Sequence, residues 1–217
     1  MKFHSILLVL VITSLTFCLS GCFKWAARAE SKLPKETSLH KTYNYDGKVI
    51  IVGAGASGLA AAKVLEQTDK IVFLFVGNGD LKAEVLALAS ELGVRKKIIF
   101  DDFRQDIPDV LQAIDIYCLP SLWEGLPIGL LEAMSMKKAV VATPVDGTKE
   151  AITHNKNGFL VPCKDDEKLA KAILKLADDK EKIKNFGEKA YQTVLERFTL
   201  PVMAKEVEAI YETVLIN

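Results

Sequence analysis

Two glutamates eight positions apart, Glu124 and Glu132, flank a glycine in the stretch Leu119–Met134, L-P-S-L-W-E-G-L-P-I-G-L-L-E-A-M. An ionised carboxylate only accepts hydrogen bonds, so each can hold hydroxyls, as on a sugar. Gly125 has no side chain, which lets backbone N–H groups near it approach a ligand closely. Pro127 suits the first turn of a helix over 128–136, in which Leu130, Leu131 and Met134 can form a buried side. A helix start offers unpaired N–H groups and a partial positive charge, and both favour a phosphate. Glu132 falls about one and a half turns into that helix. Amides for a phosphate and carboxylates for sugar hydroxyls are therefore expected side by side. A bare pair of glutamates would be read as a solvated helix start. Pro-Ser before, Gly after and Glu-Ala-Met at the end tell against that.

Pro120, Ser121, Glu124, Gly125, Glu132, Ala133 and Met134 resemble the E-x7-E signature of retaining GT-B glycosyltransferases. The resemblance implies Glu124 at the donor sugar, as the catalytic carboxylate, and Glu132 at the ribose of the nucleotide. It implies backbone N–H groups near Gly125 and Leu126 at the phosphates. The donor would be a UDP- or GDP-sugar, transferred with retention and without a metal or other cofactor.

A second phosphate-binding pattern stands earlier. The apolar run Lys48–Val52 leads into Gly53-Ala54-Gly55-Ala56-Ser57-Gly58 and then a helical stretch. Glycines at 53, 55 and 58, between strand and helix, match a dinucleotide-binding turn. Residues 48–62 resemble the start of flavin-dependent amine oxidases, which implies FAD as cofactor. That family carries an acidic residue at the tip of its second strand, whereas the first acid here is Asp80. No second flavoprotein motif follows. An FAD-binding oxidoreductase fragment is the alternative reading, beside a plain glycine turn in a Rossmann-like unit.

Strand-like and helical runs alternate along the rest. Strands are expected at 71–76, 98–100, 114–119, 139–143 and 159–162. Helices are expected at 81–92, 107–113, 165–177, 181–198 and 200–215, the last three covering the sheet. From about Ala61 onward the glycosyltransferase resemblance continues. It implies a glycine turn at Gly77, a turn near the base carrying Phe103 and Arg104, and a donor-side loop over 143–150 with Gly147. Asp102 stands where that family carries glycine, adding bulk and charge. The alternation gives an α/β fold, a Rossmann-like doubly wound parallel sheet, here a single GT-B-type donor domain with a helical C-terminus. Ligands of such sheets bind beyond the carboxyl ends of the strands, where all these positions fall.

Half of the 217 residues are hydrophobic, and 28 basic residues balance 28 acidic ones, so net charge does not point to nucleic acid. Cys18, Cys22, Cys118 and Cys163 match no metal or redox spacing, and no metal site is expected. Cys118 reads as buried filling, and His154 as a surface residue.

The chain begins with a short apolar run ending in Leu19-Ser20-Gly21-Cys22, which resembles the lipobox of bacterial lipoproteins. This implies a signal peptide over 1–21 and lipid attachment at Cys22, anchoring the chain to a membrane outside the inner membrane. Residues 22–46 read as a flexible tether and 47–217 as the nucleotide-sugar-binding domain. That location conflicts with the cytoplasmic origin of nucleotide sugars. The leader, the flavoprotein-like first turn and the glycosyltransferase-like remainder look joined near 60–63. Between Lys48 and Lys63 no Arg or Lys supplies the diphosphate-neutralising pair of the resembled family. Its acceptor domain is also absent, which makes a separate acceptor-domain chain the implied partner. Weak nucleotide binding with little or no transfer is expected from this chain alone. A non-catalytic, lipid-anchored binding module is a third reading.

Overall fold

The structure is a computed structural model that describes residues 48–52, 64, 68–69, 71–77 and 82–215. The leader with Cys22, the tether, and the turn of Gly53, Gly55 and Gly58 lie outside these residues.

Six strands form one sheet: β1 (Lys48–Val52), β2 (Ile71–Val76), β3 (Ile98–Asp101), β4 (Ile116–Leu119), β5 (Ala139–Ala142) and β6 (Phe159–Leu160). All neighbouring pairs are parallel, in the order β3-β2-β1-β4-β5-β6. The order reverses between β1 and β4, and at such a switch point the flanking loops diverge and leave a crevice. Ile51 sits opposite Tyr117 there, and Tyr117 opposite Val140.

Alternation along each strand explains the two covered faces. Phe73, Phe75, Ile116, Cys118 and Val141 pack into one core with Leu169, Ala170, Ile173 and Leu176 of α5 (Asp166–Ala177) and Phe186 of α6 (Lys180–Arg197). Leu74 and Tyr117 face the other way. They pack with Val110 and Leu111 of α2 (Ile107–Gln112) and Ala133 of α3 (Ile128–Ser135). The helix α1 (Lys82–Glu91) contributes Ala89 to the first core. Cys118 is fully buried, and burial pushes its thiol up to about 12, so it stays protonated and inert.

α5 starts where the Asp165 carboxylate accepts from the Lys168 N–H at 2.9 Å. α6 approaches the turn after α3 through Gly187, whose missing side chain leaves room for the Lys137 carbonyl. Asn157 is buried and fully used. It donates to the Ala151 carbonyl at 3.0 Å and to Thr193 Oγ1 at 2.9 Å, and accepts from the Thr153 N–H at 2.7 Å.

Several expected boundaries move. Residues 143–150, expected as a loop, contain the helix α4 (Asp146–Ala151). Glycine disfavours helix, but the close packing of Gly147 overrides that preference. Ile114 closes α2, its N–H donating to Leu111 at 3.4 Å, so β4 begins later than 114. α3 buries Leu130, Ala133 and Met134, while Leu131 is only half-buried. Of the three final helices, α5 and α6 cover the sheet. α7 (Leu200–Leu215) belongs to a second compact unit that includes Leu195–Asn217, where Met203, Ile210, Tyr211 and Val214 are exposed.

Candidate functional site

The carboxyl ends of β2 to β5 carry nearly every described residue singled out above. Gly77 follows β2 with φ of 122°, a conformation L side chains rarely adopt, and its N–H donates to the Asp101 carbonyl at the end of β3. Phe103 follows β3 and is 73% exposed, so its ring is free to meet a flat partner. Arg104 beside it is committed to protein carboxylates. Its Nε and Nη2 grip Asp106, and Nη1 reaches Asp101 at 3.1 Å. The Arg104 hydrogen bond is the main reason the Asp106 carboxyl is held below its usual range. Arg104 thus braces the turn that presents Phe103.

The loop after β4 carries Glu124, Gly125 and Leu126, and its carbonyls are tied down. Thr143, buried after β5, donates its hydroxyl to the Ser121 carbonyl at 2.5 Å and its N–H to Leu119 at 3.2 Å. The Gly147 N–H donates to the Gly125 carbonyl at 3.0 Å. Contact is so close that a Cβ on Gly147 would lie 2.2 Å from that carbonyl oxygen and 2.6 Å from Leu126 Cα. Ser121 Oγ donates to Glu124 at 2.7 Å and holds that carboxylate over the loop. Pro127 caps α3 rather than entering its first turn, its carbonyl accepting from Leu130 and Leu131.

The N–H groups are left over. Those of Gly125, Leu126, Ile128 and Gly129 donate to no described acceptor. The loop is anchored through its acceptors and presents its donors, as an anion site at a helix start requires.

Glu132 lies on α3 and is half-buried, and burial raises its carboxyl above the ordinary range. Its side chain has no hydrogen-bond partner among the described residues. Glu124 and Glu132 share a neighbour in Tyr117 of β4. Burial first, then the charges of Glu132 and Glu124, raise that phenol far above its ordinary value. The charges of both carboxylates thus reach Tyr117, on the face of the sheet that α3 covers.

Sequence reasoning missed Tyr117, Gly129, Thr143 and Thr148. The Thr148 hydroxyl is wholly buried beside Gly147 and has no partner among the described residues. Only Tyr117 left a signal, a polar-tipped residue in an apolar strand. Cys163 is exposed, with its sulfur 3.9 Å from the Ser121 carbonyl. His154 is exposed too, and its Nδ1 accepts from the Leu160 N–H. A hollow of about 570 Å³ near Asn155, Lys182 and Phe186 lies away from these strand ends.

The family model "Glycosyl transferases group 1" matches residues 58–193. A similar curated protein is the Escherichia coli UDP-Gal:alpha-D-GlcNAc-diphosphoundecaprenol alpha-1,3-galactosyltransferase. The two are 26% identical over 161 residues, which cover 72% of this chain and 41% of that protein. Among solved structures, the C-terminal domain of a glycosyl transferase group 1 family protein from Francisella tularensis is 25% identical, with a TM-score of 0.69. The likeness covers 79% of this chain and 98% of that one. Anabaena HepE, solved with UDP and glucose, shares the fold at a TM-score of 0.72 and 23% identity, over 81% of this chain and 51% of that one. The chain spans about two-fifths of the length of the curated relatives it matches.

Proposed function

We propose a function from one premise: this chain belongs to the glycosyl transferases group 1 family. It acts as the donor half of a retaining glycosyltransferase, holding a UDP- or GDP-sugar at the carboxyl rim of its sheet. The observation that carries this reading is the loop after β4. Its carbonyls are bound by Thr143 and Gly147 while the N–H groups of Gly125 and Leu126 stay open, in a loop that carries Glu124 and leads into the helix of Glu132.

In this reading the N–H groups of Gly125, Leu126 and the first turn of α3 receive the diphosphate. Glu132 accepts from the ribose hydroxyls and Glu124, oriented by Ser121, from those of the sugar. Phe103 lies flat against the base, with Arg104 and Gly77 shaping that side of the crevice. No base-assisted proton transfer is needed from these groups; they position the donor and stabilise the charge that develops as the diphosphate leaves. The stretch with Gly53, Gly55 and Gly58 stands, in the sequence, where the resembled family carries its cationic pair. It supplies no cation, so stabilisation of the leaving diphosphate is weak and a purified chain transfers little sugar by itself.

The same proposal includes lipid attachment at Cys22, anchoring outside the inner membrane, the tether over 22–46 and an acceptor half contributed by another chain. UDP in an E. coli relative's name and in the HepE structure makes UDP the first ligand to try. The flavoprotein alternative draws no support from the family match, which runs from residue 58 to 193.

Titration of UDP, GDP and FAD against the full chain tests the reading. Saturable binding of one nucleoside diphosphate, with a colourless protein, is the expected result. A yellow protein that binds FAD and ignores UDP and GDP would refute it. Mass analysis of the N-terminus after expression in a bacterial host separately tests the lipid at Cys22.

A further inference from the structure

Tyr117 enters none of the roles above, yet its hydroxyl has an unusual position. A Cβ built on Gly129 would lie 2.9 Å from that hydroxyl oxygen, and 3.9 Å from the ring carbon that bears it. The phenol tip therefore fills the place that a side chain at 129 would occupy, against the first turn of α3. Gly129 and Glu132 are three apart on this helix and so lie on the same face. Gly129 is also the last residue of the turn whose N–H groups remain open. The Tyr117 hydroxyl has no hydrogen-bond partner among the described residues, and neither has the Glu132 carboxylate. Two half-buried polar groups at one helix face, one able to donate and the other only to accept, are complementary to a ligand hydroxyl that does both.

We propose that Tyr117 is a donor-positioning residue, whose hydroxyl, seated in the space left by Gly129, shares with Glu132 the hydroxyl groups of the nucleotide's ribose. The proposal rests on the nucleotide-sugar reading and deepens it. Burial and the two neighbouring carboxylates keep the phenol protonated throughout the working pH range, so it always has a proton to donate. Glu132 anchors the ribose as an acceptor; Tyr117 fixes which way the ribose hydroxyl turns. A glycine is then required at 129 to make room for Tyr117 and not for its conformational freedom, since its φ is not in the left-handed region.

The test uses the full chain and four proteins: the wild type, Tyr117→Phe, Gly129→Ala and the double variant. Each is titrated with UDP and with 2′,3′-dideoxy-UDP, with GDP and its dideoxy analogue as the second pair. Tyr117→Phe should weaken the ribonucleotide about three- to tenfold and leave the dideoxy analogue unchanged. Gly129→Ala should weaken both analogues, because its methyl displaces the hydroxyl and the turn. In the Tyr117→Phe background the same methyl meets only ring carbon at ordinary contact, so its added effect should shrink toward none. Equal losses for the ribose and dideoxy forms, or no loss in Tyr117→Phe, overturn the assignment while leaving the nucleotide reading intact. A wild type that binds neither UDP nor GDP overturns both.

Discussion

Gly147→Ala puts the rim architecture to its hardest test. The new Cβ would meet Gly125 O at 2.2 Å, Leu126 Cα at 2.6 Å and the Gly125 carbonyl carbon at 2.9 Å. All three are backbone atoms, so no rotamer change relieves them. Ordinary contact would require a retreat of about 1 Å, and the bond from the Gly147 N–H to the Gly125 carbonyl would stretch with it. Overpacking of this kind costs about 1–3 kcal/mol, which for a chain of this size lowers Tm by about 2–12 °C. The larger effect falls on the ligand. The displaced atoms adjoin the N–H groups assigned to the diphosphate, and a shift of about 1 Å can cost on the order of 100-fold where geometry is demanding. UDP affinity of the folded protein should therefore fall at least about tenfold, measured by calorimetric titration with thermal unfolding alongside. Gly187→Ala is the matched control, since its Cβ would lie 2.0 Å from the Lys137 carbonyl oxygen, away from the strand ends. It should lower Tm comparably and leave the affinity of the folded fraction unchanged. If Gly147→Ala binds UDP as the wild type does, or if both variants lose affinity in proportion to stability, the loop is not held for a ligand.

Glu132→Gln should separate stability from binding. Burial raises the Glu132 carboxyl in the folded state, so the folded protein holds that proton more tightly than the unfolded chain. Its contribution is thus most favourable at low pH and is lost as pH rises through the raised value. Glutamine carries no such penalty, so the variant should melt higher than the wild type at pH 7, with the gap closing below the ordinary glutamate range. UDP affinity should meanwhile fall about 10- to 100-fold, because a carboxylate that accepts from hydroxyls is gone. For the wild type, UDP binding should strengthen as pH rises through the Glu132 titration, and Glu132→Gln should flatten that component. A lower melting point for Glu132→Gln at pH 7 would contradict the burial argument. Asn157→Ala should cost about 1–3 kcal/mol by leaving the Ala151 carbonyl and the Thr153 N–H without their partner. Chemical denaturation would show it, with UDP binding of the folded protein untouched.

The sheet was legible because its strands are short apolar runs set between helical periods, and parallel order follows from that alternation. Its strand ends were less legible. Ile114 is as apolar as Ile116, yet it belongs to the close of α2, because hydrogen bonding to Leu111 fixes its backbone before β4 begins. Residues 146–151 carry an early glycine and a single apolar side chain, Ala151, so no helical period betrays α4. Its existence depends on Gly147 lying against a loop more than twenty residues earlier in the chain, a contact no local pattern encodes.

Glu124, Gly125 and Glu132 could be read from spacing because they sit on one loop and one helix, whose geometry is local. The residues that hold them could not. Thr143 acts through its hydroxyl on the Ser121 carbonyl, and in sequence it is only the last polar letter after A-V-V-A. Gly129 looks like a weak point in a helix, where glycine costs about 1 kcal/mol against alanine. Only the fold shows what stands in its place, the hydroxyl of Tyr117 from the strand beneath. The chemistry of such a rim is written in the residues that face a ligand, and its precision in residues that touch only those. The second set becomes visible once β4, β5 and the first turn of α3 are placed side by side. A substitution scan confined to Glu124 and Glu132 would therefore find the site and miss what aims it.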